Sequence, residues 1–407
     1  MLNIEGQIVD SKPENFGSPI LRLGFRPFFL AAGVFSILSM VIWMASYVFS
    51  VEIVFSGVPP NLWHAHEMLF GYVMAVVAGF LLTAIKNWTG EEVLRGKALA
   101  FLFLLWALAR LLPLLPSVTA LTIPIEIIAL LDVSFLFLLA LACLRPVLKI
   151  KQYKQAGIIS KLFLLMLCNV AFYLGVMGVL AEGVQWGLYS ALYMVIALIF
   201  VMLRRVMPMF IKNGVDGDVT LVNRAWLDYS SLVLLVCLWI SDVFTSFDNA
   251  TTFFAVLLAL LHTLRLAGWY TNKIWYKPLV WILVLAYAAF IFGFVLKALS
   301  ITSGVSPFLS VHAFTVGGIG LLTIGMMSRV SLGHTGRNVF EPPAMVFWSF
   351  IALVLSFIFR VILPLLNMEL YIYWIGISQV LWIIAFGIFV YVYAPMFLSA
   401  RIDGRDG

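Results

Sequence analysis

The sequence has few charged residues: they make up 11% of its 407 residues, whereas hydrophobic residues make up 63%. A soluble fold of that composition would expose far more apolar surface to water than soluble domains do. The surroundings of this chain are therefore expected to be a lipid bilayer. No linker is long enough to separate a soluble domain, so residues 1–407 are expected to form a single integral membrane domain.

Cysteine is also scarce. Cys143, Cys168 and Cys237 each stand alone within an apolar run, and neither CxxC nor CxxCH occurs, which excludes a disulfide framework and covalent c-type haem attachment. They are expected to be small packing residues. The N-terminal segment 1–17 lacks the apolar core and small-residue cleavage site of a signal peptide, so the first apolar helix is expected to remain as an anchor.

The sequence lacks the alternating ten-residue strands of a membrane β-barrel, and its apolar runs are about twenty residues long. Because every backbone amide in hydrocarbon needs an internal partner, this length predicts an all-α polytopic bundle of about twelve transmembrane helices. The runs lie near 28–50, 66–85, 98–115, 121–147, 159–181, 186–209, 226–245, 250–270, 278–300, 308–329, 342–363 and 371–398.

The net charge of +6 could indicate nucleic-acid binding in a soluble chain, but the positions of the basic residues indicate membrane topology instead. Lys and Arg occupy every other segment between the apolar runs. Only Arg110, Lys297 and Arg360 lie elsewhere, near the opposite ends of their helices. Both termini are therefore predicted to be cytoplasmic, with the even-numbered helices running from outside to inside, and no nucleic-acid partner is expected.

The five histidines are the main candidates for chemistry. His64 and His66 open the second helix, His262 lies inside the eighth, His312 opens the tenth, and His334 follows the tenth. Ionisable residues in an apolar span are costly and usually face a cavity, a cofactor or an ion path. For each histidine, the alternative to a ligand role is that it lies at the membrane interface or is held by hydrogen bonds.

Neutral imidazole suits haem iron, copper and zinc, so all five are candidate metal ligands. His64, His66 and His312 are expected at similar depth. His262 lies about a dozen residues into its helix, roughly 18 Å deeper, so one compact site cannot use all five. There is no HExxH, no cysteine cluster and no adjacent His-His pair, which argues against a zinc protease, an iron–sulfur protein and a haem-copper oxidase.

Three carboxylates and two arginines lie in or beside these spans. Glu67, Glu126 and Asp132 could relay protons, orient an imidazole, or pair with Arg110 or Arg360, and pairing is the interpretation we favour. If haem is present, Arg110 and Arg360 could instead hold its propionates through forked hydrogen bonds.

An ungapped overlay of His66 on His312 gives a faint internal similarity. The coinciding positions are His66/His312, Gly71/Gly317, Gly79/Gly325, Thr89/Thr335 and Gly90/Gly336. Chance in a Gly-rich apolar background is the alternative, since small residues are common at helix interfaces. If the outer end holds a haem, the overlay and the equal depth predict that His66 and His312 are its two axial ligands. His64, which lies roughly 200° around the helix from His66, would bind copper or lie at the rim of the bundle.

Several motifs resemble the NnrS family of bacterial membrane proteins linked to the nitric oxide response. They are LGFRPFFL (23–30), WHAHEMLFGY (63–72), AGFLLTAIKNWTG (78–90), WALAR (106–110), RRVMPMF (204–210), HAFTVGGIG (312–320) and MSRVSLGHTGR (327–337). The family's histidine motifs map onto His64, His66, His312 and His334. The resemblance implies haem b, with up to two haems, as well as copper, a nitric oxide context such as denitrification or nitrosative stress, and a multi-pass location in the bacterial inner membrane.

Two function classes stay open. In the first, histidine-ligated haem binds or redox-processes nitric oxide, with a quinone or another electron-transfer partner, which would make the protein a membrane oxidoreductase. In the second, the protein is a secondary transporter or exporter of a metal or nitrosylated species. Asp132 is the clearest midplane carboxylate for that role, and the loop after the second helix lacks a major-facilitator signature.

Overall fold

The structure is a computed structural model that describes residues 18–404, and within this range it contains helices and loops but no strand. Twelve of the helices are long and apolar enough to cross a membrane, so the prediction of an all-α polytopic bundle is confirmed. They are α1 (Phe25–Tyr47), α2 (Pro60–Thr89), α3 (Gly96–Val118), α4 (Ile125–Lys149), α5 (Tyr153–Val176), α6 (Gly183–Gly214), α7 (Ala225–Phe244), α8 (Asp248–Trp269), α9 (Pro278–Thr302), α10 (Pro307–His334), α11 (Ala344–Leu366) and α12 (Tyr371–Leu398).

The bounds agree with the apolar runs except where a helix extends beyond the hydrocarbon-like segment. The α2 helix begins at Pro60 rather than near residue 66, because proline fits the first turn of a helix, where no intrahelical amide bond is needed. His64 and His66 consequently lie one turn inside α2 rather than at its first residue. The α6 helix continues to Gly214, although Pro208 lies within it.

Four helices form the centre of the bundle. In α2, α6, α9 and α10, between 72% and 83% of the most apolar window is buried, against 33–44% in the other eight. The α6 helix packs along α5, α9 packs along α10, and α1 packs against both α2 and α12. The outer helices therefore present much of their surface to lipid, and chemistry within the span is expected around the four central helices.

Both α2 and α10 contain a π-helical segment that starts directly after a histidine. A short α-helical stretch (Pro60–His66) is followed by a π segment (Glu67–Val73) in α2. The same order, Pro307–His312 and then Ala313–Gly320, occurs in α10. π-helical segments are rare and are frequent at functional sites. The shared irregularity supports the internal similarity that the sequence indicates between these helices.

Gly71 and Gly317, one of the coinciding glycine pairs, are required by close packing. A Cβ atom on Gly71 would lie 2.6 Å from Phe35 Cε1, and one on Gly317 would lie 2.6 Å from Phe357 Cε2 and 2.7 Å from Ala289 Cβ. Neighbouring side chains therefore occupy the space beside both glycines. These contacts explain the glycines without a porphyrin ring beside them.

The first and last spanning helices are held together by a buried arginine. Arg26 Nη1 donates hydrogen bonds to the carbonyl oxygens of Met396 (3.1 Å), Phe397 (2.9 Å) and Ser399 (2.7 Å). These carbonyls lie in the last turn of α12, where backbone acceptors lack intrahelical partners. Arg26 therefore caps α12 and fixes it beside the start of α1.

Candidate histidine sites

Three of the five histidines lie at one end of the bundle, where the even-numbered helices begin. The charge distribution predicts that this end faces outward, and we call it the predicted outer end. The orientation itself stays a prediction. In residues 18–404 no group of three His, Cys, Asp or Glu side chains is arranged to hold a metal ion.

A buried ion network connects α2, α3 and α4. Arg110 Nη1 donates to Glu67 Oε2 at 2.9 Å, and Arg110 Nη2 is ion-paired with Asp132 Oδ1. All three side chains are at most 2% exposed. The expectation that these carboxylates pair with an arginine is confirmed for Glu67 and Asp132, whereas Glu126 is exposed at the start of α4.

His66 belongs to this network, and both of its ring nitrogens face acceptors. Nδ1 lies 3.1 Å from Glu67 Oε1, and Nε2 lies 2.9 Å from Asn169 Oδ1. The Asn169 amide is oriented by its Nδ2, which donates to Asp132 Oδ2 at 3.0 Å. Both ring nitrogens of His66 therefore have a hydrogen-bond partner, and neither is free. Glu67 and Asp132, the two carboxylates of the network, each contact both Arg110 and His66.

His312 lies in a different group of side chains. Arg360 Nη2 lies 2.9 Å from His312 Nε2, and His312 Nδ1 lies 2.7 Å from the Phe308 carbonyl oxygen. Because a guanidinium can only donate, Nε2 accepts and Nδ1 carries the proton that is donated to Phe308. Arg360 Nη1 also donates to Tyr371 Oη at 3.2 Å. Among the residues described, no carboxylate lies within ion-pair distance of Arg360.

His64 belongs to the same group as His312. Its ring stacks on Trp43, with centroids 4.7 Å apart and an interplanar angle of 6°. It is close enough to His312 and Arg360 for electrostatic interaction with both. Its Nδ1 atom is buried and has no hydrogen-bond partner. The side chains therefore bring His64, rather than His66, together with His312, and the expected pairing of His66 with His312 is not the one that they make.

His262 lies alone among aromatic residues deep in α8. It is fully buried, its Nδ1 lies 2.5 Å from Tyr287 Oη, and its ring stacks on Phe294 at 5.8 Å. Its Nε2 atom is buried without a hydrogen-bond partner. Buried polar atoms almost always have a partner, so an unpartnered imidazole nitrogen indicates a position where a ligand or ion can bind.

His334 is remote from the histidines of the predicted outer end. It ends α10 at the opposite end of the bundle from His312, about 33 Å away along the helix at 1.5 Å per residue. Its ring lies 5.6 Å from that of Phe25. A metal or cofactor shared between His334 and the histidines of the predicted outer end is excluded by this distance.

One sequence signal points to Arg110 and Arg360 as corresponding residues. Leu-Pro-Leu-Leu follows Arg110 at 112–115 and follows Arg360 at 363–366. In each case the arginine lies on the spanning helix after the one whose π segment directly follows a histidine, and it reaches the side chains around that histidine. The two sites differ in charge because Glu67, after His66, corresponds to Ala313, after His312. Arg110 therefore has carboxylate partners, whereas Arg360 has none in the described chain.

The bundle defines a multi-pass membrane protein with imidazoles buried at two depths. The sequence profile of the NnrS protein family matches residues 19–401, nearly the whole chain. The chain therefore belongs to the NnrS family. A search among proteins of curated function finds no significant match.

Proposed function

We propose that this protein binds haem b through histidine and acts on nitric oxide in the nitrosative-stress response of the bacterial inner membrane. Family membership supports the nitric oxide context. The observation that carries the haem assignment is the pair of unpartnered buried nitrogens, His64 Nδ1 and His262 Nε2. Haem iron, when bound, supplies the centre that coordinates nitric oxide and exchanges electrons.

Neutral imidazole with a free nitrogen is what haem iron or copper requires, and these two positions fit that requirement. At His262, Tyr287 already fixes the ring through Nδ1, as the partners of metal-bound histidines do. At His64, stacking on Trp43 fixes the ring plane. The two positions lie at different depths, which fits two separate groups, either two haems or one haem and one copper ion.

The hydrogen bonds of His66 favour a different role for that residue. Both ring nitrogens of His66 are engaged, by Glu67 and by Asn169, so neither is free for a metal. His66 therefore serves to orient the network around Arg110. His64 and His312 take its place as the candidates at the predicted outer end, with His312 available once Arg360 turns from its Nε2.

The free charge of Arg360 fits a haem propionate. Arg360 lies beside His312 and His64 without a carboxylate partner in residues 18–404, whereas the guanidinium of Arg110 is engaged by Glu67 and Asp132. An uncompensated cation in an apolar span is costly. A propionate would form a forked, charge-assisted pair with Arg360 and remove that cost.

Absorption and electron paramagnetic resonance spectra of the purified protein test the proposal. A Soret band without added ligand is expected. His64→Ala and His262→Ala should each lower the haem content or change the spin state, whereas His66→Gln should leave the spectrum unchanged. A deletion strain is expected to grow poorly under a nitric oxide donor. Absence of haem from the membrane-extracted protein, together with normal growth of that strain, would contradict the proposal and favour a transporter.

A further inference from the structure

A cavity of about 150 Å³ lies among α6, α7, α9 and α10 at the predicted outer end. The volume is about ten times the ~15 Å³ that a single water requires, so a small organic molecule fits. Its residues come from the first turns of α6 and α10 and from the last turns of α7 and α9. None of the five histidines lines it, so it is separate from the sites above.

One wall of the cavity carries a complete ion pair. Lys297 Nζ is paired with Asp242 Oδ1, and the two side chains are 15% and 12% exposed. Tyr193 donates its hydroxyl hydrogen to Asp242 Oδ2 at 2.7 Å. Lys297 is one of the three basic residues that depart from the charge alternation along the chain. A lysine at this end is explained by its pairing with Asp242.

Two further polar groups line the cavity without hydrogen bonds of their own. Gln185 and Tyr189 lie eight and four residues before Tyr193, respectively, on the same face of α6. Neither the Gln185 amide nor the Tyr189 hydroxyl forms a hydrogen bond within the part of the chain that the structure describes. Polar groups that face a cavity in this state are available to a bound molecule.

The rest of the lining is mostly apolar. Leu192 from α6 and Pro307, Val311 and Phe314 from α10 contribute it. Ser310 also lines the cavity, but its hydroxyl donates to the Gly293 carbonyl oxygen at 3.1 Å. The cavity therefore offers one cation, one anion, two free hydrogen-bonding groups and a small apolar surface.

We propose that this cavity binds a small zwitterion of the amino-acid type, whose ammonium group pairs with Asp242 and whose carboxylate pairs with Lys297. A simple anion or cation would have to separate Lys297 from Asp242 and leave one of them unpaired, which is costly in a membrane span. A zwitterion replaces one ion pair with two and brings no net charge into the protein. Its side chain lies against Phe314, and the free groups on α6 bind its polar atoms.

Equilibrium dialysis of radiolabelled L-alanine against the purified full chain tests the proposal. Saturable binding is expected, and competition by glycine and L-leucine reports the size limit. Acetate and ethylammonium, which each carry one of the two charges, should not compete at the same concentration. Absence of L-alanine binding, or equal competition by acetate, would overturn the proposal.

Two variants and a matched control assign the binding to this cavity. Tyr189→Phe removes one hydroxyl and should weaken binding about fivefold, the effect of one hydrogen bond. Asp242→Asn combined with Lys297→Met removes both charges together and should abolish binding. Glu91→Gln combined with Lys149→Met removes a pair with a 2.6 Å contact at the other end of the bundle and should leave binding unchanged. Unchanged affinity for L-alanine in both Tyr189→Phe and the Asp242/Lys297 double variant would refute the assignment of binding to this cavity. The haem spectra of these variants should be unaffected.

Discussion

Replacing Arg110 with methionine tests the charge balance of the buried network. The substitution keeps an unbranched side chain of similar length but removes the guanidinium that pairs with both Glu67 and Asp132. Two buried carboxylates then lose their arginine in the span. Removing one partner from a buried ion pair costs about 3–5 kcal/mol.

That loss is a large part of the total stability of a folded protein, which is about 5–15 kcal/mol. Arg110→Met is therefore expected to lower the unfolding temperature markedly in detergent, as followed by circular dichroism and by size-exclusion chromatography after heating. Arg360→Met is the matched control: it removes a cation that has no carboxylate partner in the described residues. Its unfolding temperature should stay close to that of the unmodified protein.

A second variant distinguishes charge imbalance from lost packing. Glu67→Gln combined with Arg110→Met removes one carboxylate together with the arginine, so the net charge of the network is the same as in the unmodified protein. This double variant should be more stable than Arg110→Met alone, because well-packed neutral replacements of buried ion pairs are often tolerated. An unaltered unfolding temperature in Arg110→Met, or a double variant that is less stable than the single one, would refute the reasoning.

Three further predictions concern topology, packing and the deep histidine. A cysteine introduced at Lys154 should resist membrane-impermeant thiol reagents in intact cells, and labelling from outside would reverse the predicted orientation. Gly317→Ala should lose about 1–3 kcal/mol because its new methyl group meets neighbouring side chains. Gly387→Ala, where a Cβ meets nothing within 4 Å, should not, and equal unfolding temperatures for the two would contradict this. Tyr287→Phe removes the group that fixes His262, so haem titration should show affinity about 10–100-fold weaker; an unchanged titration would argue against His262 as a ligand.

The number and approximate positions of the spanning helices could be predicted from the sequence because a bilayer imposes a minimum apolar length. Helix starts were less predictable. Pro60 begins α2 one and a half turns before its apolar run, since the first turn lies outside the hydrocarbon-like part. The π segments after His66 and His312 are not visible in hydropathy, which does not distinguish a π turn from an α turn.

The pairing of Glu67 and Asp132 with an arginine followed from the cost of unpaired charge in a span. Which arginine they use did not follow, because Arg110 and Arg360 lie at the same predicted end and both follow a helix with a buried histidine. The decisive difference is the residue after the histidine, which is Glu67 in one case and Ala313 in the other. This difference can be recognised only when the sequences of α2 and α10 are overlaid.

The separation of His64 from His66 could be predicted from helix geometry, since two residues turn a helix by roughly 200°. The choice of which one faces His312 could not. It depends on how α2 is rotated about its own axis against its neighbours, and a small rotation exchanges the two. The structure turns His64 toward Arg360 and His66 toward Arg110.

Because Arg26 caps α12, the first and last spanning helices are neighbours in space although they are the furthest apart along the chain. Because α1 starts where α12 ends, a short linker from the segment after Leu398 to the segment before Phe25 would connect neighbours. New ends could be opened in the loop between α6 and α7, at the same face of the bundle. Such a circular permutant would insert α7 to α12 first, and its folding would show whether the half that contains His262 and His312 assembles before the half that contains Arg110.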